Sequence, residues 1–499
     1  MKLRQFFLSL LLLFCFLTVC GQRYSSKIID AETQAPIPYT TVQYGYELGT
    51  ITNEEGEFSF VIDKTVKQLD SVYISCMGYG NTTFAYNQLL TDTIHIRSKS
   101  MELIGVELVG KGLTAEEIVE RMKLQAPNNY QILPVQKRFF LRQSTSDEIE
   151  RAELKLISSS IDKVHQLLLD SITKALPKKS VYHTETLGEL YKNNDSIKLI
   201  VTKAAELYDQ NNQATFDALG ERLERIIKIH TKSDSYFKVK TGPISSKFQF
   251  NKKVNSNTVL TDGKNDIELK NLMQRDFISK RKERLSLIEN QVFGKKSRLD
   301  VISKSKRYVF QLQNTIKNNE GGGQYVISFS PKKYAALSGK LYINTDDFAL
   351  TRVEYTNKRS LKPLKLLGIH YEETLYEGVT VYSKMKNGKY ELTFSKLSHD
   401  QYLNAERPLK IVEKNKNAKG RRQQNEIVLE LYYTAKNSHI FEWVAFERKS
   451  SSKSAFNKLP SNSDGEISYL PKYEPDFWAG YTILEPNEAI KSFEAPSNN

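Results

Sequence analysis

The sequence predicts a mainly β fold with some α: a small N-terminal β-sandwich, then a larger antiparallel β-rich domain, an open curved sheet or incomplete barrel, with a few helices. Three observations predict it. Short β-favouring runs recur between turn signals from residue 23 to 100. Strict apolar–polar alternation dominates from Tyr308 onward. The 27 tyrosines and 24 phenylalanines, spread evenly, suit pleated surfaces. A chain of 499 residues holds two to four domains at roughly 150 residues each. The expected division is 1–21 a signal peptide, 22–100 the sandwich, 101–135 a linker and capping helix, 136–460 an α+β, β-rich domain, and 461–499 an aromatic segment and tail.

Lys2 and Arg4 precede an apolar run from Phe6 to Val19, too short to span a membrane comfortably but right for a signal peptide. Export to the periplasm or outer membrane is therefore expected. Two readings of its end stay open: cleavage before Gln22, which is preferred, and lipidation at Cys20 after Leu17-Thr18-Val19, where Val19 stands in place of the usual small residue. Of three cysteines only Cys76 belongs clearly to the mature chain, so neither an internal disulfide nor a cysteine metal site is expected. The net charge of +14 is interleaved with acids and reads as a solvated basic surface. Export also removes nucleic acid from the expected partners.

Within residues 23–100, β-rich runs are Ser26 to Ile29, Tyr39 to Tyr46, Gly49 to Thr52, Glu57 to Ile62, Ser71 to Ser75, Thr82 to Tyr86 and Thr91 to Arg97. Asp30-Ala31-Glu32-Thr33 closes one turn on its own backbone, and Asn53-Glu54-Glu55-Gly56 another, with Gly56 free to take positive φ. Asp30, Thr33, Pro36-Ile37, Val42, Gly49-Thr50-Ile51-Thr52-Asn53, Gly56, Phe58 and Val72 to Ser75 before Met77-Gly78-Tyr79 together resemble the carboxypeptidase regulatory-like domain. Ser26 departs from that pattern, where the family has Gly. The resemblance covers about 75 residues and implies a transthyretin/Ig-like sandwich of the kind common in Bacteroidota envelope proteins, with no catalytic residues to carry over.

A peptidase would need His-x-x-Glu, a distant third ligand and a further Glu to activate water. His370-Tyr371-Glu372-Glu373 matches the first element, but chance produces such a match in a chain with seven histidines, and His399 and His439 follow too closely. His370 is read as a strand or loop residue. There is no Gly-x-Ser-x-Gly elbow, His-Glu-x-x-His pair or dinucleotide fingerprint. No residue is assigned as catalytic, cofactor-binding or metal-ligating, no cofactor is expected, and the chain is read as not an enzyme.

Beyond the sandwich, Thr114-Ala115-Glu116-Glu117 is a capping box opening a helix with Ile118, Val119 and Met122 on one face, stopped by Pro127 and Asn128-Asn129. Ser159 to Leu176 has helical spacing and should end at Pro177. Helix and strand stay open for residues 180–215, where Val181 to Leu190 and Ile197 to Leu207 flank Asn193-Asn194-Asp195. Phe216 to His230 reads as helical. Strands are expected at Tyr308 to Leu312, Tyr325 to Ser330, Gly339 to Asn344, Ala349 to Tyr355, Val379 to Met385, Tyr390 to Leu397 and Ile427 to Tyr433. Asn344 to Asp347 and Asn387-Gly388 are expected turns.

Gly321-Gly322-Gly323 reads as a hairpin loop, Lys414 to Arg422 as a solvated basic loop, and Tyr473 to Tyr481 as an aromatic clasp. The expected function is a non-catalytic envelope protein: a sandwich adaptor plus a β-rich domain that binds an apolar, lipid-like ligand or an envelope partner, with peripheral membrane association open. The alternatives are an envelope hydrolase acting on glycan or peptide, and a structural scaffold of an outer-membrane complex.

Overall fold

The computed structural model describes residues 22–495 except 46, 63–67, 77, 80–81, 86–92, 99–111, 131–133, 195, 211–224, 226–228, 232–234, 243, 249–262, 295–296, 318–322, 334, 416–422 and 461–464. The signal peptide, Cys20, Gly321-Gly322, most of the linker, most of the basic run after Lys414 and most of Phe216 to His230 thus lie outside the described residues.

The N-terminal unit is a sandwich. One sheet is β4 (Glu57–Ile62), β1 (Gln22–Asp30) and β7 (Thr93–Ile96), with β1 antiparallel to β4 and parallel to β7. The other is β3 (Leu48–Ile51), β2 (Thr41–Gly45), β5 (Gln68–Ser75) and β6 (Thr82–Ala85). Inward residues Ile28, Val42, Tyr44, Phe58, Phe60, Val72, Ile74 and Ile96 close the core, with half-buried Cys76 against it. The two expected turns hold it in register. Asp30 Oδ1 accepts from the Glu32 and Thr33 N–H groups at 2.8 Å, while Tyr79 donates to Oδ2 at 2.7 Å. Gly56 has φ +76°, and a Cβ there would stand 2.4 Å from the Ile28 carbonyl oxygen, so only glycine fits.

The larger sheet is open. Its strands run β13 (Tyr308–Lys317), β14 (Gly323–Pro331), β15 (Leu337–Asn344), β16 (Leu350–Asn357), β18 (Ile369–Lys384), β19 (Tyr390–Lys414), β20 (Gln423–Ser450), β8 (Val135–Ser159), β9 (Lys179–Asn193), β10 (Ser196–Leu207) and β21 (Glu466–Leu470). All pairs are antiparallel except β10 with β21, and the end strands β13 and β21 do not pair with each other. β17 (Leu361–Leu366) folds back on the start of β18, and the hairpin of β11 (Tyr236–Thr241) and β12 (Ile244–Phe248) flanks the far end of β19.

Each strand expected after Tyr308 falls on one of these, but two run far longer than their alternation signals, β19 with 25 residues and β20 with 28, and they pair with a 25-residue strand, β8, that was not expected. Of the residues left open at 180–215, those up to Leu207 belong to the β9–β10 hairpin, which turns after Asn193, with Asn194 at φ 52°, while 195 and 211–215 lie outside the described residues. Asn387-Gly388 makes the β18–β19 turn, with Gly388 at φ 79°.

The helices are α1 (Ala115–Asn129), α2 (Gln166–Lys174), α3 (Gly263–Glu289), α4 (Lys453–Lys458) and α5 (Glu488–Lys491). The Thr114–Glu117 capping box forms as expected, but Pro127 lies inside α1, whose last turn runs on to Asn129. The helix expected from Ser159 is shorter: β8 continues to Ser159, Ile161 and Val164 pack from a turn, and His165 caps α2.

The sheet is buried on two sides. On its concave face α1 and α3 pack over Phe139, Leu141, Leu190, Leu199, Trp443 and the inward residues of β13–β16. On its convex face Phe140, Phe394, Val444 and Phe446 meet the C-terminal segment, including Trp478, Ile483 and Leu484. Phe139 and Phe140 therefore face opposite cores, as the period of two requires.

The aromatic segment is a clasp, as expected. Trp478 is fully buried and donates from Nε1 to Glu185 Oε2 at 2.7 Å. Arg142, also buried, pairs with Glu185 and donates to the Leu484 carbonyl at 2.8 Å. The same segment fixes the sandwich through Arg23–Glu485 at 2.8 Å, Lys491–Glu57 at 2.8 Å and Asn53 Nδ2 to the Pro486 carbonyl at 3.2 Å.

Candidate functional site

The concave trough has two roofs. At its inner end, α3 buries Phe277, Ile278, Leu285 and Ile288 beside Ile118, Val119 and Met122 of α1. Charges lock this roof down. Lys137 on β8, fully buried, donates to Glu289 at 2.8 and 3.0 Å and pairs with Glu391 at 2.8 Å, while Lys192 reaches Glu289 at 3.1 Å. Burial opposes ionisation of Glu289, but Lys137 and Lys192 outweigh it and hold its carboxyl below the usual range. At the outer end, α2 covers the long strands through Ile161, Val164, Leu169, Ile427 and Leu429.

Between the roofs lies a groove of about 600 Å³, within the size range of small-molecule sites. Its floor comes from β8 (Asp147, Ile149), β9 (Ser180, Val181, Tyr182), β10 (Glu206) and β20 (Tyr433, Ala435, Asn437), and its outer wall from Leu176 and Pro177 after α2. Register explains the assembly: Ser180 pairs with Asp147, which pairs with Asn437, so one row of three strands crosses the floor. The polar floor groups are largely partnered. Tyr182 donates to Glu206, and Asn437 Nδ2 to Asp147 at 2.5 Å. Burial, then Glu206, raises the Tyr182 phenol above its ordinary range. Tyr208, in ring contact with Tyr182 and Tyr469, closes one side.

At the inner margin stands Arg281 of α3, only 5% exposed. Its Nη2 donates to Gln143 Oε1 at 3.0 Å, but Nε and Nη1 have no hydrogen-bond partner. Gln143 pairs with Thr184, and the next inward-facing row, Thr145 with Tyr182, opens onto the groove. Burial pushes the Arg281 guanidinium below its ordinary value, while Tyr182 and Glu206 support its charge. Unpaired buried donors are costly, at about 1–3 kcal/mol each.

The His-x-x-Glu match does not assemble a metal site. His370 lies on β18, as a strand residue, with Nε2 3.8 Å from Glu372 and its ring against Tyr402. Glu373, three positions on, falls on the opposite face, buried and held by Arg298 at 2.7 Å and Lys362 at 3.2 Å. Burial raises its carboxyl, but Arg298 and Lys362 prevail and lower it. His399 Nε2 stands 3.5 Å from Glu373, and the His399 and His439 rings are 6.4 Å apart across β19 and β20. Among the described residues no group of three His, Cys, Asp or Glu could hold a metal ion.

Sequence reasoning assigned no site residue, and the groove was missed because its parts lie hundreds of residues apart. Arg281 alone left a signal: it interrupts the buried stripe Phe277, Leu285, Ile288 at helical spacing.

The chain matches no protein-family model and no curated protein. Solved structures similar in outline are remote. A LolA superfamily protein from Nitrosomonas europaea is 10% identical over 70% of this chain and 96% of its own, with a TM-score of 0.17. A chain of the Pseudomonas aeruginosa MucA/MucB complex is 6% identical over 68% of this chain and 99% of its own, with a TM-score of 0.17. A structure of MucB with MucA gives 6%, 68%, 99% and 0.16. Scores this low carry no argument, and the functional reading rests on the chain's own residues.

Proposed function

We propose that this is a non-catalytic, exported envelope protein whose open sheet binds an amphipathic, lipid-like molecule in the groove between its two roofs. The apolar part of the ligand lies along Ile149, Leu176, Pro177, Tyr433 and Ala435, and an acceptor oxygen of its head group, carboxylate or phosphate, takes the free N–H groups of Arg281. The sandwich, by its resemblance to the carboxypeptidase regulatory-like domain, serves as an adaptor. The observation that carries the reading is the juxtaposition of a groove of about 600 Å³ with a buried, half-satisfied guanidinium at its inner margin. Envelope residence rests on the apolar N-terminal run of the sequence; among the described residues no helix is long and apolar enough to cross a membrane.

The test is native mass spectrometry with solvent extraction on protein purified from its own envelope, for the wild type and Ser180→Trp. Ser180 is half-buried on the groove floor, so the indole occupies the space without disturbing the roofed core. A stoichiometric lipid-sized adduct in the wild type, lost in the variant, is the expected result. A clean wild-type mass, or an adduct that survives the substitution, contradicts it.

A further inference from the structure

Strand β17 and the start of β18 form a hairpin whose tip is built unlike the rest of the surface. Leu366 pairs with Ile369, so Leu367 and Gly368 are the two turn residues, and both have positive φ, 51° and 75°. That is the type I′ geometry, which favours Asn-Gly and disfavours a branched apolar side chain at the first position. The side chains it displays are also in the wrong solvent: Leu364, Leu366 and Leu367 are 47%, 57% and 49% exposed. Folding explains neither choice, since these leucines bury little and the turn would close better with asparagine.

The tip is nonetheless firmly held. The Glu406 N–H donates to the Gly368 carbonyl at 2.7 Å, Arg407 donates to the Leu367 carbonyl, and Ile369 pairs with Ala405 of β19. Four cations surround the leucines in sequence: Lys358, Arg359, Lys362 and Lys365. Against them stand Glu372 on the same hairpin, Glu373, which Lys362 and Arg298 already neutralise, and Glu406.

We infer that this hairpin docks the protein on an anionic lipid surface, the three leucines entering the boundary between head groups and acyl chains and the lysines meeting lipid phosphates. Fixed apolar side chains flanked in sequence by lysines are what such a boundary accepts, because the amines stay at head-group level while the leucines leave water. The placement also suits the groove, although the inference stands without it. Ile369 pairs with Ala405, and Ala405 with Tyr433, so the hairpin and the groove wall share one row of the sheet. At strand spacing the two are about 10 Å apart, which brings the groove to the lipid surface when the tip is seated.

The experiment is flotation of the full exported chain, carrying Cys20→Ala so that no acyl group on that residue contributes. Vesicles of phosphatidylethanolamine with phosphatidylglycerol are compared with vesicles of phosphatidylcholine alone. The wild-type hairpin is compared with Leu366→Ser/Leu367→Asn and with Lys358→Gln/Lys365→Gln. The expected result is flotation on the anionic vesicles only, about tenfold weaker partition for each double variant, and an unlowered melting temperature for the leucine variant, since asparagine suits the turn. Failure of the wild type to float, or equal flotation by the leucine variant, overturns the inference and leaves a protein partner as the occupant of the tip. Equal binding to phosphatidylcholine overturns the role of charge.

Discussion

Two buried cations under the same helix, α3, are treated in opposite ways: Lys137 beneath its last turn and Arg281 at the margin of the groove. At the inner end, Lys137 is fully enclosed and answered by Glu289 and Glu391, with Lys192 adding a second cation to Glu289. About two turns earlier on α3, Arg281 is nearly as buried, yet its Nε and Nη1 have no hydrogen-bond partner. A charge that holds the fold is matched within the fold, whereas the proposed function has the unmatched charge beside the groove meet a ligand. On the proposed function, the difference separates the part of the trough that is core from the part that binds.

The sharpest way to break this comparison is Lys137→Met. It removes the cation from Glu391 and leaves Glu289 with Lys192 alone, and removing one partner of a buried ion pair costs about 3–5 kcal/mol. Urea melts should show that loss. Arg281→Met at the other end should change stability by less than about 1 kcal/mol in either direction, because lost packing and the Gln143 bond are offset by relief of the unpartnered donors. The same variant should lose any anionic ligand. A large destabilisation by Arg281→Met would make the two ends alike and remove the distinction.

Acid should also divide the ends. Burial depresses the imidazoles of His399 and His439, which lie between the roofs, below the ordinary value of 6.5. The stability tied to their neutral forms is complete above that value and is lost as pH falls beneath it. Glu289 is depressed too, so its contribution holds above its ordinary value of 4.5 and declines only as pH falls through its lowered one. Hydrogen exchange at pH 5 should therefore rise around Gln401 and Asn437 before it rises around Lys137, and His399→Gln/His439→Gln should abolish that early rise. The smallest effect is expected from Ser180→Trp, which should shift stability by about 0.5 kcal/mol while displacing the ligand.

How much of this was legible follows from how local each signal is. The sandwich turns at Asp30 and Gly56 and the Thr114–Glu117 cap are set by side chains and backbone within a few residues of one another, and each could be read directly. The strands after Tyr308 show alternation because one face is less buried than the other. Val135 to Leu141 hid its strand because Phe139, Phe140 and Leu141 are all buried, one core on each side, which erases the period of two. Helix α3 hid behind its charges, with Lys280, Arg281, Lys282 and Arg284 crowding the apolar stripe. The groove needs β8, β9, β10, β20 and the segment after α2 in register, and no local pattern encodes such a meeting. The His370 motif shows the converse: a spacing legible in sequence that a strand's alternation splits between two faces.

The most direct test of the central claim is photolabelling of the full exported chain with a diazirine-bearing fatty acid in detergent-free solution, followed by peptide mapping. Labels confined to the segments around Leu176–Tyr182 and Tyr433–Asn437, and suppressed by Ser180→Trp, are the result expected if the gap between the roofs is the binding site. Labels spread over the convex face or the sandwich, indifferent to that substitution, would contradict it.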